Sequence, residues 1–322
     1  MEVRWGLREL GPLLGEIGIE RPFLVASKRW SRESVPVDVL GVWSEVPSDR
    51  IASAVESAAG ADGLLALGGG SAIDLAKAIS AASGLRVVSL PTTYSGSEWT
   101  PYFGVRDQNR LAKGGGSGAG LAGIVYEPEL TLGLPRAETV GTALNALAHC
   151  AEALYVDGRN AESDRDALIG ARLISEWLPR VAESGSDRAA RTHLLEGAMH
   201  GGAALASAGL GLGHALAQAL GGRYGVPHGP LNAVCLPPAL RFNQEAVAAE
   251  LAKLGEAMGT NDPVGRVEEL AGLGGFERLR DLGVPENELD AVAEAAAARA
   301  GAKANPRPAT AEQIAELLRS VW

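Results

Sequence analysis

The first third of the chain alternates short apolar runs with stretches of helical spacing. Residues 6–19 repeat leucine and isoleucine at helical intervals and predict a first helix. PFLVAS (22–27) and VDVLGVW (37–43) have the length of strands. SDRIASAVESAAG (48–60) is helical and stops on Gly60. GLLAL (63–67) is an apolar strand, SAIDLAKAIS (71–80) a helix, RVVSL (86–90) a strand closed by Pro91, and GIVY (123–126) a last strand. Strands that are apolar throughout are covered on both faces, so the pattern predicts an α/β fold with a parallel sheet. After LTLGLP (130–135) the period changes to helical, with Ala-rich faces and Glu and Arg outside, and no strand is predicted. The boundary falls there: an α/β half over 1–135 and an all-α half over 136–322. NPRP (305–308) breaks the chain before a final helix, TAEQIAELLRSVW.

Composition changes this picture little. The chain has 322 residues, 46% hydrophobic and 21% charged, the balance of an ordinary globule. Its net charge of −10 repels phosphate backbones, so no nucleic-acid partner is expected, and an anionic substrate needs a local positive patch. The two cysteines, Cys150 and Cys235, form no CxxC, which fits a reducing cytoplasm. No signal-peptide core follows MEVRWGLREL. Residues 201–222 carry no formal charge over 22 positions, about the length of a bilayer span. Seven of them are glycine, and Ser207, His214 and Gln218 interrupt the run, so it reads as a buried helix and no membrane partner is expected.

Two loops point to a phosphate ligand. LLALGGGSAIDLAKAIS is strand, three glycines, then helix. Gly68, Gly69 and Gly70 permit a tight turn and close approach of a ligand to the backbone. Ser71 is expected as N-cap, with Asp74 completing an approximate capping box. The helix start favours an anion, although Ile73 stands where a third glycine of GxGxxG would be. PTTYSGSEWT (91–100) follows the next strand and crowds Thr92, Thr93, Ser95 and Ser97 around Gly96. Two such loops at one sheet edge suit a dinucleotide. The alternative is a tight βα turn and an ordinary polar loop. Ser44 or Glu45, after the strand 37–43, is placed to meet an adenosine ribose, which leaves NAD and NADP both open.

TALNALAHCAEALY (142–155) is helical and puts Asn145 and His149 four apart on one face. His214 and His228 lie in equally apolar, glycine-rich surroundings, whereas His193 reads as a solvated helix residue and His200 has no evident role. A buried histidine is commonly a satisfied core residue. Three of them with Asn145 suggest a site.

GGGSAIDLAKAIS, PTTYSGSE, VYEPELTLGLP, TALNALAHCAEALY and GHALAQALGGRYGVPHG, in that order, resemble the iron-containing alcohol dehydrogenase superfamily, and within it the maleylacetate reductases most. The resemblance implies a Rossmann-like amino-terminal dinucleotide-binding domain and a dehydroquinate synthase-like helical domain, with the active site in the cleft between them. It also implies a cytoplasmic homodimer using NADH or NADPH on a small-molecule substrate. In metal-dependent members an Asp and three His hold the ion; the matching positions are Asn145, His149, His214 and His228, so the Asp has become Asn. Maleylacetate reductases share that Asn and are regarded as metal-free. Three imidazoles can nonetheless hold zinc. Lys113, in RLAKGGG, matches a lysine near the cofactor, or is a solvated loop cation. Gln218 replaces a second His of relatives, and GPLN after His228 departs from the maleylacetate reductase pattern.

The implied reaction is reduction of an unsaturated keto acid, maleylacetate to 3-oxoadipate. His149, His214 and His228 would line the site with one as acid, and Asn145 and Gln218 would orient the substrate. Two alternatives stand beside it: a zinc- or iron-dependent alcohol or aldehyde dehydrogenase on the three histidines, and a non-catalytic nucleotide-binding homologue.

Overall fold

The computed structural model describes residues 1–30, 32–107, 109 and 112–322, the side chains of 112 and 113 excepted. Residues 1–93 and 97–131 form one compact unit; residues 94–96 and 132–322 form another.

The first unit holds β1 (Glu2–Trp5), α1 (Leu10–Ile17), β2 (Pro22–Ala26), β3 (Val42–Trp43), α2 (Ile51–Ser57), β4 (Gly63–Gly68), α3 (Gly70–Ser83), β5 (Arg86–Pro91), β6 (Phe103–Arg106), β7 (Ala112–Gly116) and β8 (Gly120–Tyr126). Six strands make one parallel sheet in the order β1-β8-β5-β4-β2-β3. Alternate residues of its central strands point to opposite faces. Leu65, Leu67, Val88 and Leu90 pack with Leu10, Leu13 and Leu14 of α1. Leu64, Ala66 and Val87 pack with Ala54 of α2 and with Ile73, Ala76 and Ile79 of α3. Each fully buried leucine or isoleucine contributes about 1.5–3 kcal/mol, which explains the continuously apolar strands. From β2 the chain moves outward to β3, whereas from β4 it moves the other way to β5, so the topological switch lies between β2 and β4.

Three elements differ from expectation. β1 was not anticipated in the charged start of the chain; it pairs with β8 at the sheet edge. The run 37–43 gives a strand of only two residues. β6 and β7 form a separate antiparallel hairpin in a glycine-rich stretch of low strand propensity.

The second unit contains α4 (Arg136–Ala153), α5 (Ala161–Glu183), α6 (Arg188–Ala208), α7 (Leu212–Tyr224), α8 (His228–Asn243), α9 (Ala248–Met258), α10 (Pro263–Gly272), α11 (Leu289–Ala297), α12 (Ala300–Lys303) and α13 (Ala311–Ser320), and no strand among the described residues. Asn160 caps α5 and Thr310 caps α13, each by a reciprocal capping box worth about 1 kcal/mol. Leu216 and Leu220 of α7, Leu231 and Cys235 of α8, Val292 and Ala296 of α11, and Ile314 and Leu318 of α13 share one core. Both cysteines are buried free thiols, pushed above the usual thiol range by burial. The uncharged run 201–222 is not one buried helix: it spans the half-buried end of α6 and the largely buried α7, bent by 98° at residues 209–211. Among the described residues no single helix is long and apolar enough to cross a membrane.

Candidate active site

In the first unit, the glycine turn closes β4. Gly68 lies opposite Pro91 in the parallel register, and the Thr92 amide donates to the Gly68 carbonyl at 3.0 Å. GGGS and PTT are thereby brought together at the carboxyl ends of neighbouring strands beside the switch point, where open α/β sheets bind ligands. A side chain on Gly69 would meet Thr93 Cγ2 at 2.9 Å, so glycine is needed for the two loops to close. The capping expectation needs correction. The N-cap of α3 is Gly69, no side chain caps it, and α3 begins at Gly70. The Gly69 carbonyl accepts the Ala72 and Ile73 amides, no side chain caps the amides of Gly70 and Ser71 before them, and Ser71 is exposed at the start of the helix. Asp74 instead pairs with Lys77 at 2.8 Å, accepts the Gly104 amide at 3.0 Å and accepts the Ser97 hydroxyl. Ser97 thus anchors its loop to α3. Thr92 is buried, and the Thr93 hydroxyl is buried with no partner. Glu45 is held by Arg50 at 3.0 Å. The side chain of Lys113 lies outside the described residues.

In the second unit, α4 presents Asn145 and His149 on one face. Residues 94–96 pack against them. Tyr94 is fully buried, and its hydroxyl accepts from the guanidinium of Arg191, itself buried and satisfied by the Gly185 and Leu134 carbonyls and the Thr139 hydroxyl. Asn145 Nδ2 donates to the Ser95 carbonyl at 2.8 Å. A carbonyl can only accept, so this contact fixes the amide orientation. The same Nδ2 lies 3.4 Å from His149 Nε2, and Asn145 Oδ1 accepts from Asn232 Nδ2 of α8 at 2.5 Å. His149 Nε2 is therefore the acceptor nitrogen, and Nδ1 carries the proton. Gly96, at φ +72°, faces that edge: a Cβ there would sit 3.3 Å from His149 Nδ1.

His214 of α7 stacks on His149, ring centroids 4.7 Å apart at 14°. Its Nδ1 lies 2.7 Å from Glu152 Oε2. Glu152 is fully buried on α4 and also accepts the amides of Gly211 and His214 at 2.7 and 3.1 Å. It caps α7 from a neighbouring helix, since Gly211 has no side chain to do so. His149 Nδ1 and His214 Nε2 are both buried without a partner. An unmade hydrogen bond costs about 1–3 kcal/mol, and such costs collect where a ligand binds. Burial holds the His149 imidazole well below the usual histidine range, and the charges of His214 and then His228 lower it further.

His228, the first residue of α8, is exposed and not buried as its surroundings in sequence suggested. Gln218, one turn beyond His214 on α7, accepts from Arg299 Nη1 at 3.4 Å. His193 stacks on Trp177, and His200 pairs with Asp166 at 2.9 Å. Among the described residues no three His, Cys, Asp or Glu side chains come together to hold a metal ion. Sequence reasoning missed Glu152, Asn232 and Arg299. The signal for Glu152 was there: a lone carboxylate in the apolar AHCAEALY.

The first unit joins a parallel six-stranded sheet, with a glycine turn beside its switch point, to a small antiparallel hairpin, and the second is all-helical among the described residues and carries buried imidazoles. Residues 6–118 match the family model described as iron-containing alcohol dehydrogenase, and residues 139–322 the model for the C-terminal part of the Fe-containing alcohol dehydrogenase family. The chain belongs to this family. It is 35% identical to a maleylacetate reductase of Pseudomonas sp. (strain P51) over 98% of this chain and 93% of that one. It is 37% identical to one from Burkholderia cepacia over 82% of this chain and 74% of that one. A maleylacetate reductase from Agrobacterium tumefaciens superposes with a TM-score of 0.88 at 31% identity, covering 100% of this chain and 95% of that one.

Proposed function

We propose that the protein is an NAD(P)H-dependent reductase of an unsaturated keto acid of the maleylacetate class, working without a metal ion. The carrying observation is the Asn145 amide. An ion held by an Asp and three His would need an oxygen at this position. Here the oxygen is taken by Asn232, and the nitrogen, which is no metal ligand, faces His149 Nε2. The donor set does not fit such an ion. The amide N–H stands where the cation would act on the imidazole.

The glycine turn and Gly70–Ser71 of α3 would receive the dinucleotide phosphates, with Thr92 and Thr93 beside them. When bound, the reduced nicotinamide supplies the hydride to the carbon–carbon double bond. The conjugated ketone oxygen then gains negative charge, which needs a donor. His149 is kept neutral by burial, so its Nδ1–H serves as that donor and not as an imidazolium. His214 is assigned the role of acid on geometry: Glu152 fixes its ring through Nδ1 at 2.7 Å, and its Nε2 is buried without a protein partner. Protonation of the enolate carbon completes the saturated keto acid. His228 stands nearer solvent, suited to resupply the proton.

The test is NADH and NADPH oxidation by protein dialysed against a chelator, with maleylacetate and a panel of other unsaturated keto acids. Turnover that survives chelation is expected. Loss of activity that zinc or iron restores overturns the metal-free part. Binding of dinucleotide with no oxidation by any keto acid overturns the reaction itself.

A further inference from the structure

Several arginines of the second unit are fully partnered, in one of two ways. Exposed arginines such as Arg223, Arg241 and Arg319 pair with carboxylates. Buried Arg191 has four neutral acceptors. Arg299 has neither. Its Nη1 makes one long hydrogen bond to Gln218 Oε1, its Nε is buried without a partner, and among the described residues no carboxylate pairs with it. A partly desolvated guanidinium with an open fork is costly unless an anion completes it.

Its location gives the anion an identity. Arg299 is the N-cap of α12, and α12 is fixed by its backbone: a Cβ on Gly301 would lie 2.4 Å from the Gly211 carbonyl at the start of α7. The guanidinium therefore sits on a rigid support. It lies along the row His214, Gln218, Gly222, whose members are four apart on one face of α7. Gly222 lies beside it, a Cβ there being 3.8 Å from Arg299 Nη2, in ordinary contact. A planar guanidinium matches a carboxylate bidentately, and Gln218 adds a neutral donor through its Nε2. On a chain of net charge −10 this is the local positive group that an anionic substrate needs.

We propose that Arg299, positioned by Gln218, binds a carboxylate of the keto-acid substrate and sets the enzyme's preference for anionic over uncharged carbonyl compounds. The assignment rests on the keto-acid reading above, and the test separates the two. Wild-type protein and the variants R299M and R299K are titrated calorimetrically with maleate in the presence of NAD+. Initial rates are then measured with maleylacetate, and NADH affinity separately. R299M is expected to weaken maleate binding and raise KM for maleylacetate by about ten- to a hundredfold, with kcat changed by less than about threefold and NADH affinity unchanged. R299K, which keeps the charge but not the fork, should recover part of the loss. Unchanged maleate affinity and KM in R299M overturn the assignment, as does an equal loss of NADH affinity. Should wild type bind maleate through Arg299 yet reduce no keto acid, the anion site stands and the reaction falls. Should it reduce maleylacetate with a KM indifferent to R299M, the reaction stands and the anion site falls.

Discussion

In the α/β unit the polar groups offered at the end of β4 belong to the main chain; in the helical unit those offered by α4 and α7 belong to side chains. The glycine turn leaves the Gly70 and Ser71 amides without a side-chain cap, Gly69 being an N-cap without a side chain. The imidazoles are the reverse. His149 and His214 are buried, and each keeps one ring nitrogen engaged and one free. A backbone site binds whatever carries phosphate and discriminates weakly. A side-chain site of fixed tautomers discriminates strongly, because a buried group left unpaired by the wrong ligand costs about 1–3 kcal/mol. On the proposed function, this difference puts cofactor affinity in the first unit and chemistry in the second.

The largest effect that would break this division is at the His214–Glu152 pair. His214→Ala should lower kcat by about 10²–10⁴-fold while leaving NADH affinity unchanged, since it removes the ring proposed to carry the proton. Glu152→Gln keeps an acceptor for one of the two α7 amides and removes the charge. It should reduce kcat by about 10²-fold with the helix content of the protein retained. Steady-state kinetics and equilibrium NADH titration on both variants check this. If either variant loses NADH affinity in proportion to kcat, the chemistry does not reside with His214.

The next effect is smaller and of opposite kind. Gly69→Val puts a branched side chain within 2.9 Å of Thr93 and over the open amides. Overpacking of this sort costs about 1–3 kcal/mol, so the NADH dissociation constant should rise by about ten- to a hundredfold. At saturating NADH, kcat should stay near the wild-type value. A fall in kcat with unchanged NADH affinity would mean that the turn serves the reaction and not the cofactor.

The same contrast governs what could be read from residues alone. The glycine turn is legible because glycine is required where loops close on each other, and β4 and β5 are legible because burial on both faces leaves an uninterrupted apolar run. Asn145 and His149 stand out as polar residues at helical spacing in an apolar helix, and their 3.4 Å contact follows from that spacing. What failed depended on distant partners. β1 exists because β8 offers it an edge, not because EVRW is apolar. In VDVLG only Leu40 and Gly41 bond to β2, at Pro22 and Leu24, and regular pairing is confined to Val42 and Trp43, so β3 keeps two residues. Ser71 does not cap α3, since the helix starts one residue before it. Glu152 caps α7, and Asn232 and Arg299 meet α4 and α7, across about 60 to 90 residues of chain, a pairing that no local pattern encodes.

The smallest effect sharpens the comparison through stability. His149 is neutral in the folded protein because burial, and then the charges of His214 and His228, hold its imidazole well below the ordinary histidine value of about 6.5. The unfolded chain takes up that proton as pH falls through about 6.5, while the folded chain does not. The unfolded state then binds more protons, so stability present above that pH is lost below it, with a slope of at most about 1.4 kcal/mol per pH unit from this one group. His149→Gln keeps an acceptor for Asn145 and removes the titration. Urea unfolding of both proteins between neutral pH and about pH 5 should show a shallower loss for the variant. Parallel curves would mean that His149 is charged in the folded state, and the neutral donor assigned to the ketone would have to be sought elsewhere.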